Sequence, residues 1–239
     1  MRQSLPRLLR SVTRISSDGE KTMLLQKAAQ ILDRQLPEEF FDAAGSIQSD
    51  GDRGRLLTTV MSLHGDDPAS LTRALRIASM LSSDGEKARA LTAAARRFHG
   101  QPEAMAEAAR VFGSIQSDGD RRRSLEAWLE ADGQTAATQR ELLLQTAGMN
   151  SDGDKVQVLM KAATKFDEHE PVRLAFFHAV NTIQSSGDQK RVLLAVLTRG
   201  SLHADTLREV SRSASHISSG ADQSAVLKAL SNRSQPSTP

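Results

Sequence analysis

The segment Ile15-Ser16-Ser17-Asp18-Gly19-Glu20-Lys21 recurs along the chain, and this recurrence limits the possible folds more than any other feature. It returns as Ile47-Gln48-Ser49-Asp50-Gly51-Asp52-Arg53, from Leu81 to Lys87, from Ile115 to Arg121 and from Met149 to Lys155. Weaker copies run from Ile183 to Gln189 and from Ile217 to Gln223. The motif glycines stand at 19, 51, 85, 119, 153 and 187, with Ala221 in the seventh place, so the first step is 32 residues and the other five are 34. A fixed period in this range belongs to stacked supersecondary units, each of which needs its neighbours to bury its apolar side.

Each copy reads as two helices. After the motif, apolar residues fall five, six, nine and ten places beyond the glycine, as in Leu56, Leu57, Val60 and Met61, a helical stripe that a strand's alternation cannot produce. Before the motif they lie four, seven, ten and eleven places back, as in Ile183, Val180, Phe177 and Phe176. Pro37, Pro68, Pro102 and Pro171 mark starts of this second stripe, because a first-turn N–H has no helical partner to lose. The pattern predicts an all-α fold: a right-handed α-solenoid of seven hairpins forming a single domain over 2–232. The units run approximately over 2–34, 35–66, 67–100, 101–134, 135–168, 169–202 and 203–232, and the polar stretch 233–239 is expected to be disordered.

The motif itself reads as a hairpin corner. Ser17, Ser49, Ser83, Ser117 and Ser151 each precede an acid by three places, the S-x-x-[DE] pattern in which serine caps a helix and the acid returns the bond. Gly19, Gly51, Gly85, Gly119 and Gly153 are expected to permit the tight turn, and the acids suit the positive end of the helix dipole. Stacking is expected to set Asp18, Asp50, Asp84, Asp118 and Asp152 beside Lys21, Arg53, Lys87, Arg121 and Lys155 of neighbouring corners. Exposed pairs of that kind are worth only about 0–1 kcal/mol each and would align a stack without holding it.

Chemistry is sparse. With no cysteine there is no disulfide framework, thiolate metal site or cysteine nucleophile. The Asp-Gly-Asp strings lack the alternating ligands and distant bidentate acid of a calcium loop, and no nucleophile elbow, phosphate loop or zinc-protease motif is present. The six histidines are expected to be surface or loop residues. No catalytic residue, metal or cofactor is therefore expected. Lys and Arg number 31 against 29 Asp and Glu, so no strong attraction to nucleic acid is expected, and no apolar run approaches the length that spans a bilayer. The expected location is the cytoplasm, with the periplasm as the alternative.

In a repeat array the partner meets exposed columns. Nine places before the motif glycine lie Arg10, Asp42, Arg76, Arg110, Leu144, His178 and Arg212. Arg10, Arg76, Arg110, His178 and Arg212 form a candidate partner-binding ladder, suited to a carboxylate-rich peptide or to phosphates. Against this, Glu107 and Glu209 lie three places before Arg110 and Arg212, the spacing of ordinary intrahelical pairs, and Asp42 and Leu144 interrupt the column. Residues 1–17 carry four arginines and no acid among apolar residues, like a targeting or membrane-surface helix, but their register is that of the first repeat helix.

The period and the paired stripes resemble the α-solenoid superfamily, of which HEAT and tetratricopeptide repeats are members, although the tetratricopeptide Trp, Gly, Tyr and Pro signature is absent. The Ile-x-Ser-Asp-x-[Asp/Glu]-Lys corner is most similar to degenerate bacterial helical repeats, sometimes appended to membrane sensors. That resemblance implies a non-catalytic scaffold binding a protein or peptide, with an acidic segment as the candidate partner, along one face, and with a regulatory or sensor-associated module as an alternative. Ser83-Asp84-Gly85-Glu86-Lys87 is also similar to the loop of the 34-residue DNA-reading repeats of plant-pathogen effectors, which makes nucleic-acid binding another alternative. An acid stands here where that family has its second glycine, and an aspartate ladder would repel phosphate.

Overall fold

A computed structural model describes residues 4–32 and 35–234, and among them every regular element is an α-helix. Contacts concentrate within two units, residues 1–133 and residues 134–239. The first holds α1 (Ser4–Val12), α2 (Asp18–Ile31), α3 (Glu38–Gly45), α4 (Asp50–His64), α5 (Pro68–Ala78), α6 (Asp84–Ala95), α7 (Pro102–Ser114) and α8 (Asp118–Glu130). The second holds α9 (Ala136–Ala147), α10 (Asp152–Ala163), α11 (Glu170–Asn181), α12 (Ser186–Leu197), α13 (Ala204–Ala214) and α14 (Gly220–Ser234).

Packing follows the period. In the first unit α1, α3, α5 and α7 pack in sequence, and so do α2, α4, α6 and α8. In the second, α9, α11 and α13 form one row and α10, α12 and α14 the other. Equivalent positions therefore line up across each row. Leu57, Leu91 and Leu125, six places after their glycines, are buried in the first unit, as are Leu159 and Leu193 in the second. Phe40, Ala74 and Ala108 do the same from the odd row.

Serine makes the corner. Ser17, Ser49, Ser83, Ser117, Ser151 and Ser185 are all extended N-caps whose hydroxyls accept the N–H three residues on, at 3.2–3.4 Å. The expectation that glycine supplies the turn is corrected. Each motif glycine lies inside the first helical turn, and the positive-φ glycines are Gly100 and Gly133, outside the motif. A Cβ on Gly51 or Gly119 would meet nothing within 4 Å. Gly51→Ala and Gly119→Ala are therefore expected to stabilise the chain by up to about 1 kcal/mol each, through helix propensity. Urea unfolding measures this, and a loss of stability in both variants would restore the turn reading.

Two further expectations change. His64 is buried rather than superficial, its Nε2 lying 2.7 Å from the Ala29 carbonyl oxygen near the end of α2. Helix α14 continues to Ser234, two residues into the stretch expected to be disordered, while residues 235–239 lie outside the described residues.

Candidate functional site

The most repetitive residues form a relay between successive corners. Oδ2 of Asp18 accepts the backbone N–H groups of Gln48 and Ser49, at 2.9 and 2.7 Å. Asp50 holds Ser82 and Ser83 in the same way, both at 2.7 Å, and Asp84 holds Gln116 and Ser117 at 2.9 and 2.8 Å. In the second unit Asp152 holds Gln184 and Ser185, both at 2.9 Å. The motif cation completes the link. Lys21, Lys87 and Lys155 each donate at 3.0 Å to a carbonyl of the following copy, those of Ser46, Ser114 and Thr182, and Arg53 reaches Met80 at 3.3 Å.

This arrangement corrects the expected ladder of acids against neighbouring cations. Lys21 lies 3.4 Å from Asp18, Lys87 3.6 Å from Asp84 and Lys155 3.9 Å from Asp152, so these charges meet within one corner, and the bridge to the next corner runs to backbone. The physical reason is that the first N–H groups of a helix have no helical acceptor, and a carboxylate from the preceding corner supplies one. The capping box is corrected too. The N–H of Ser49, Ser83 or Ser117 goes to the preceding aspartate rather than to the acid three places on. Those acids instead face arginines: Asp52 lies 3.5 Å from Arg55, Glu86 pairs with Arg89, and Asp120 with Arg123. The Ser49 N–H, more than any other partner, holds the Asp18 carboxyl below the usual carboxylate range against the opposing effect of desolvation, with help from Gln48 and Lys21.

The relay weakens in the last copies. Ser186 replaces the aspartate, and its hydroxyl accepts the Ser219 N–H at 3.2 Å. Gln189 replaces the cation and turns to Ile183 of its own copy at 2.8 Å.

A second bracket, which the sequence reading missed, sits at the far end of the second helices. Twelve places after the motif position, Arg97, Arg199 and Arg233 donate to carbonyls of the preceding copy: Ser62 at 2.7 Å, Phe166 at 3.2 Å and Gly200 at 2.6 Å. Arg199 also lies over the Phe166 ring and 3.4 Å from Glu168. Burial opposes ionisation of Glu168, but the Thr206 hydroxyl, the His203 N–H and Arg199 outweigh it and hold its pKa below the usual range.

The candidate ladder is interleaved with acids. Arg10 reaches Glu39 on the next odd helix at 2.9 Å. Arg76 and Arg110 flank Glu107, a buried carboxylate, at 3.0 and 2.8 Å. Arg212 pairs with Glu209 at 2.9 Å, and His178 is exposed. The apparent interruption at Asp42 has a counterpart, since Arg73 stands on α5 where α3 and α7 carry Glu39 and Glu107.

Another column has as many arginines and was not singled out. Four places after the motif glycine stand Met23, Arg55, Arg89, Arg123, Gln157, Arg191 and Ala225, all exposed. In the first unit this row borders a groove of about 540 Å³ across α4, α6 and α8. Thr58, Ser62, Thr92 and Ala93 line it between Arg89, Arg96 and Arg123. The hydroxyls of Thr58, Ser62 and Thr92, which line the groove, donate to carbonyls of their own helices, so what they have left to offer is acceptor capacity. Arg96, exposed at its edge, has no ion-pair partner among the described residues. Among the described residues no group of three or more His, Asp or Glu side chains is placed to hold a metal ion, and no helix is long and apolar enough to cross a membrane.

Comparison with known proteins found no match to any family model, curated protein or solved structure.

Proposed function

We propose that the chain is a non-catalytic scaffold of the α-solenoid kind, which binds an acidic segment of a partner protein along the exposed face of its second helices. The observation that supports this most is the groove across α4, α6 and α8, a shallow floor of small residues bordered by Arg89, Arg96 and Arg123. Small side chains let a partner backbone approach, the arginines offer bidentate donors to carboxylates, and the hydroxyl oxygens accept partner N–H groups. The ladder of Arg10, Arg76, Arg110 and Arg212 is the weaker candidate, because Arg76 and Arg110 compensate the buried Glu107 carboxylate, whereas Arg89 and Arg123 face the less buried Glu86 and Asp120.

The test compares a fluorescent Asp/Glu-rich peptide with single-stranded DNA of equal charge, against the chain and against Arg89→Glu/Arg96→Glu/Arg123→Glu. These side chains are exposed and their reversal breaks only the surface pairs with Glu86 and Asp120, each worth about 0–1 kcal/mol, so the triple variant should stay folded while peptide affinity falls by at least about tenfold. Peptide binding that survives the reversal would overturn the assignment. Preferential DNA binding with a steep salt dependence would favour the nucleic-acid reading instead. Reversing Arg76 and Arg110 is a poor substitute test, since it strands the buried Glu107 carboxylate at a cost of about 1–3 kcal/mol.

A further inference from the structure

Equivalent positions of the repeat provide an internal control for what covers each face. Leu8, eleven places before its motif glycine, is 61% exposed, whereas Phe40, Ala74, Ala108, Leu142, Phe176 and Val210 in the same column are 0% exposed. Leu24, five places after the glycine, is 41% exposed, and its six equivalents from Leu56 to Val226 are all 0%. These columns are therefore the face each copy turns to its predecessor, and on α1 and α2 that face is open. Leu227 gives the converse: six places after the motif position it is 40% exposed, while Leu25 to Leu193 in that column are covered.

The open face also lacks its polar partners. The N–H groups of Ser16 and Ser17 stand where those of Gln48 and Ser49 meet Asp18, yet among the described residues no carboxylate accepts them. Arg7 stands twelve places before the motif glycine, in the column where Glu39 and Glu107 receive Arg10 and Arg76. An occupant of this face must therefore offer an acid to Arg7, a corner carboxylate to the two serine N–H groups and an apolar stripe to Leu8 and Leu24.

A second copy of the chain does not fit. Its seventh repeat carries Gly220 at the aspartate position and Gln223 at the cation position, with Ser211 and Ser231 in columns that are apolar in all six earlier copies. Its Arg212 would oppose Arg7, and two open faces brought together would set Arg7 and Arg14 of each against the other. We propose that the leading face of α1 and α2 is a docking surface for an acidic helical hairpin of another protein, with an aspartate at its corner and an acid eight places before that aspartate. This surface is distinct from the groove, so the two proposals succeed or fail separately.

Residues 35–66 make a suitable probe, because Asp42 and Asp50 occupy the two required positions, and residues 203–234, with Arg212 and Gly220, make the mismatched one. Labelled peptides of both are titrated into the full chain, and both are also fused directly ahead of Met1, where residues 35–66 restore a 34-residue step. The matched peptide should bind at least about tenfold more tightly than the mismatched one, and Arg7→Glu should remove that preference. The matched fusion alone should raise the urea midpoint and slow exchange of the Ser16 and Ser17 amides, which keeps the test decisive if the free peptide is too unstructured to bind. Equal effects of the two hairpins, no effect of either in both formats, or self-association of the unfused chain would each overturn the proposal.

Discussion

Trp128→Ala is expected to lower the unfolding free energy by about 3–5 kcal/mol. The indole is fully buried on α8, with Phe98 at 4.7 Å and Phe112 at 5.8 Å between ring centroids. Its Nε1–H donates to the Leu91 carbonyl at 2.8 Å, so one side chain both fills the space between α6, α7 and α8 and satisfies a carbonyl on α6. Alanine leaves a cavity the size of most of an indole and removes a second hydrogen bond from a carbonyl that otherwise accepts only within its own helix. Trp128→Phe should cost less, because it keeps part of the packing and loses only the donor. Thermal unfolding followed by helical circular dichroism measures both. The native emission of this single tryptophan should be blue-shifted, and a spectrum like free indole would contradict the placement.

Asp84→Ala is expected to cost about 2–4 kcal/mol, far more than an exposed ion pair could account for. The substitution removes the acceptor of two backbone N–H groups, those of Gln116 and Ser117, and releases the entry to α8 from the preceding corner. Asp84→Asn retains an acceptor oxygen without the charge and should fall between the alanine variant and the parent. Asp120→Ala is the control. That acid faces only the exposed Arg123 apart from its place in the first helical turn, so its loss should cost less than about 1 kcal/mol. Equal losses at Asp84 and Asp120 would show that the motif acids act through the helix dipole alone.

The helices were legible because their apolar spacing recurs in every copy, and the serine caps were legible because a cap and its N–H partner lie three residues apart. The aspartate's partner was not, since it lies 30–33 residues away and is a backbone group that leaves no mark on composition. Glycine was misread for a different reason. Its rarity inside helices suggests a turn, but the first helical turn tolerates it, and at Gly51 and Gly119 nothing crowds the position. His64 looked superficial because it recurs in no other copy, although a single-copy residue can still cap a neighbour's carbonyl. The arginine column ending in Arg191 was as visible as the ladder ending in Arg212. Only placement distinguishes them, Arg89 and Arg123 pairing with half-buried acids beside the groove across α4, α6 and α8, and Arg76 and Arg110 holding the buried Glu107.

Amide hydrogen exchange at the corner serines tests most directly whether each corner carboxylate holds the next corner's backbone. The Ser49, Ser83, Ser117 and Ser185 amides should be protected in the native chain and the Ser17 amide should exchange freely, with Asp84→Ala releasing Ser117 but not Ser49. Ser17 and Ser49 exchanging at the same rate, or Ser117 remaining protected in the variant, would contradict the relay.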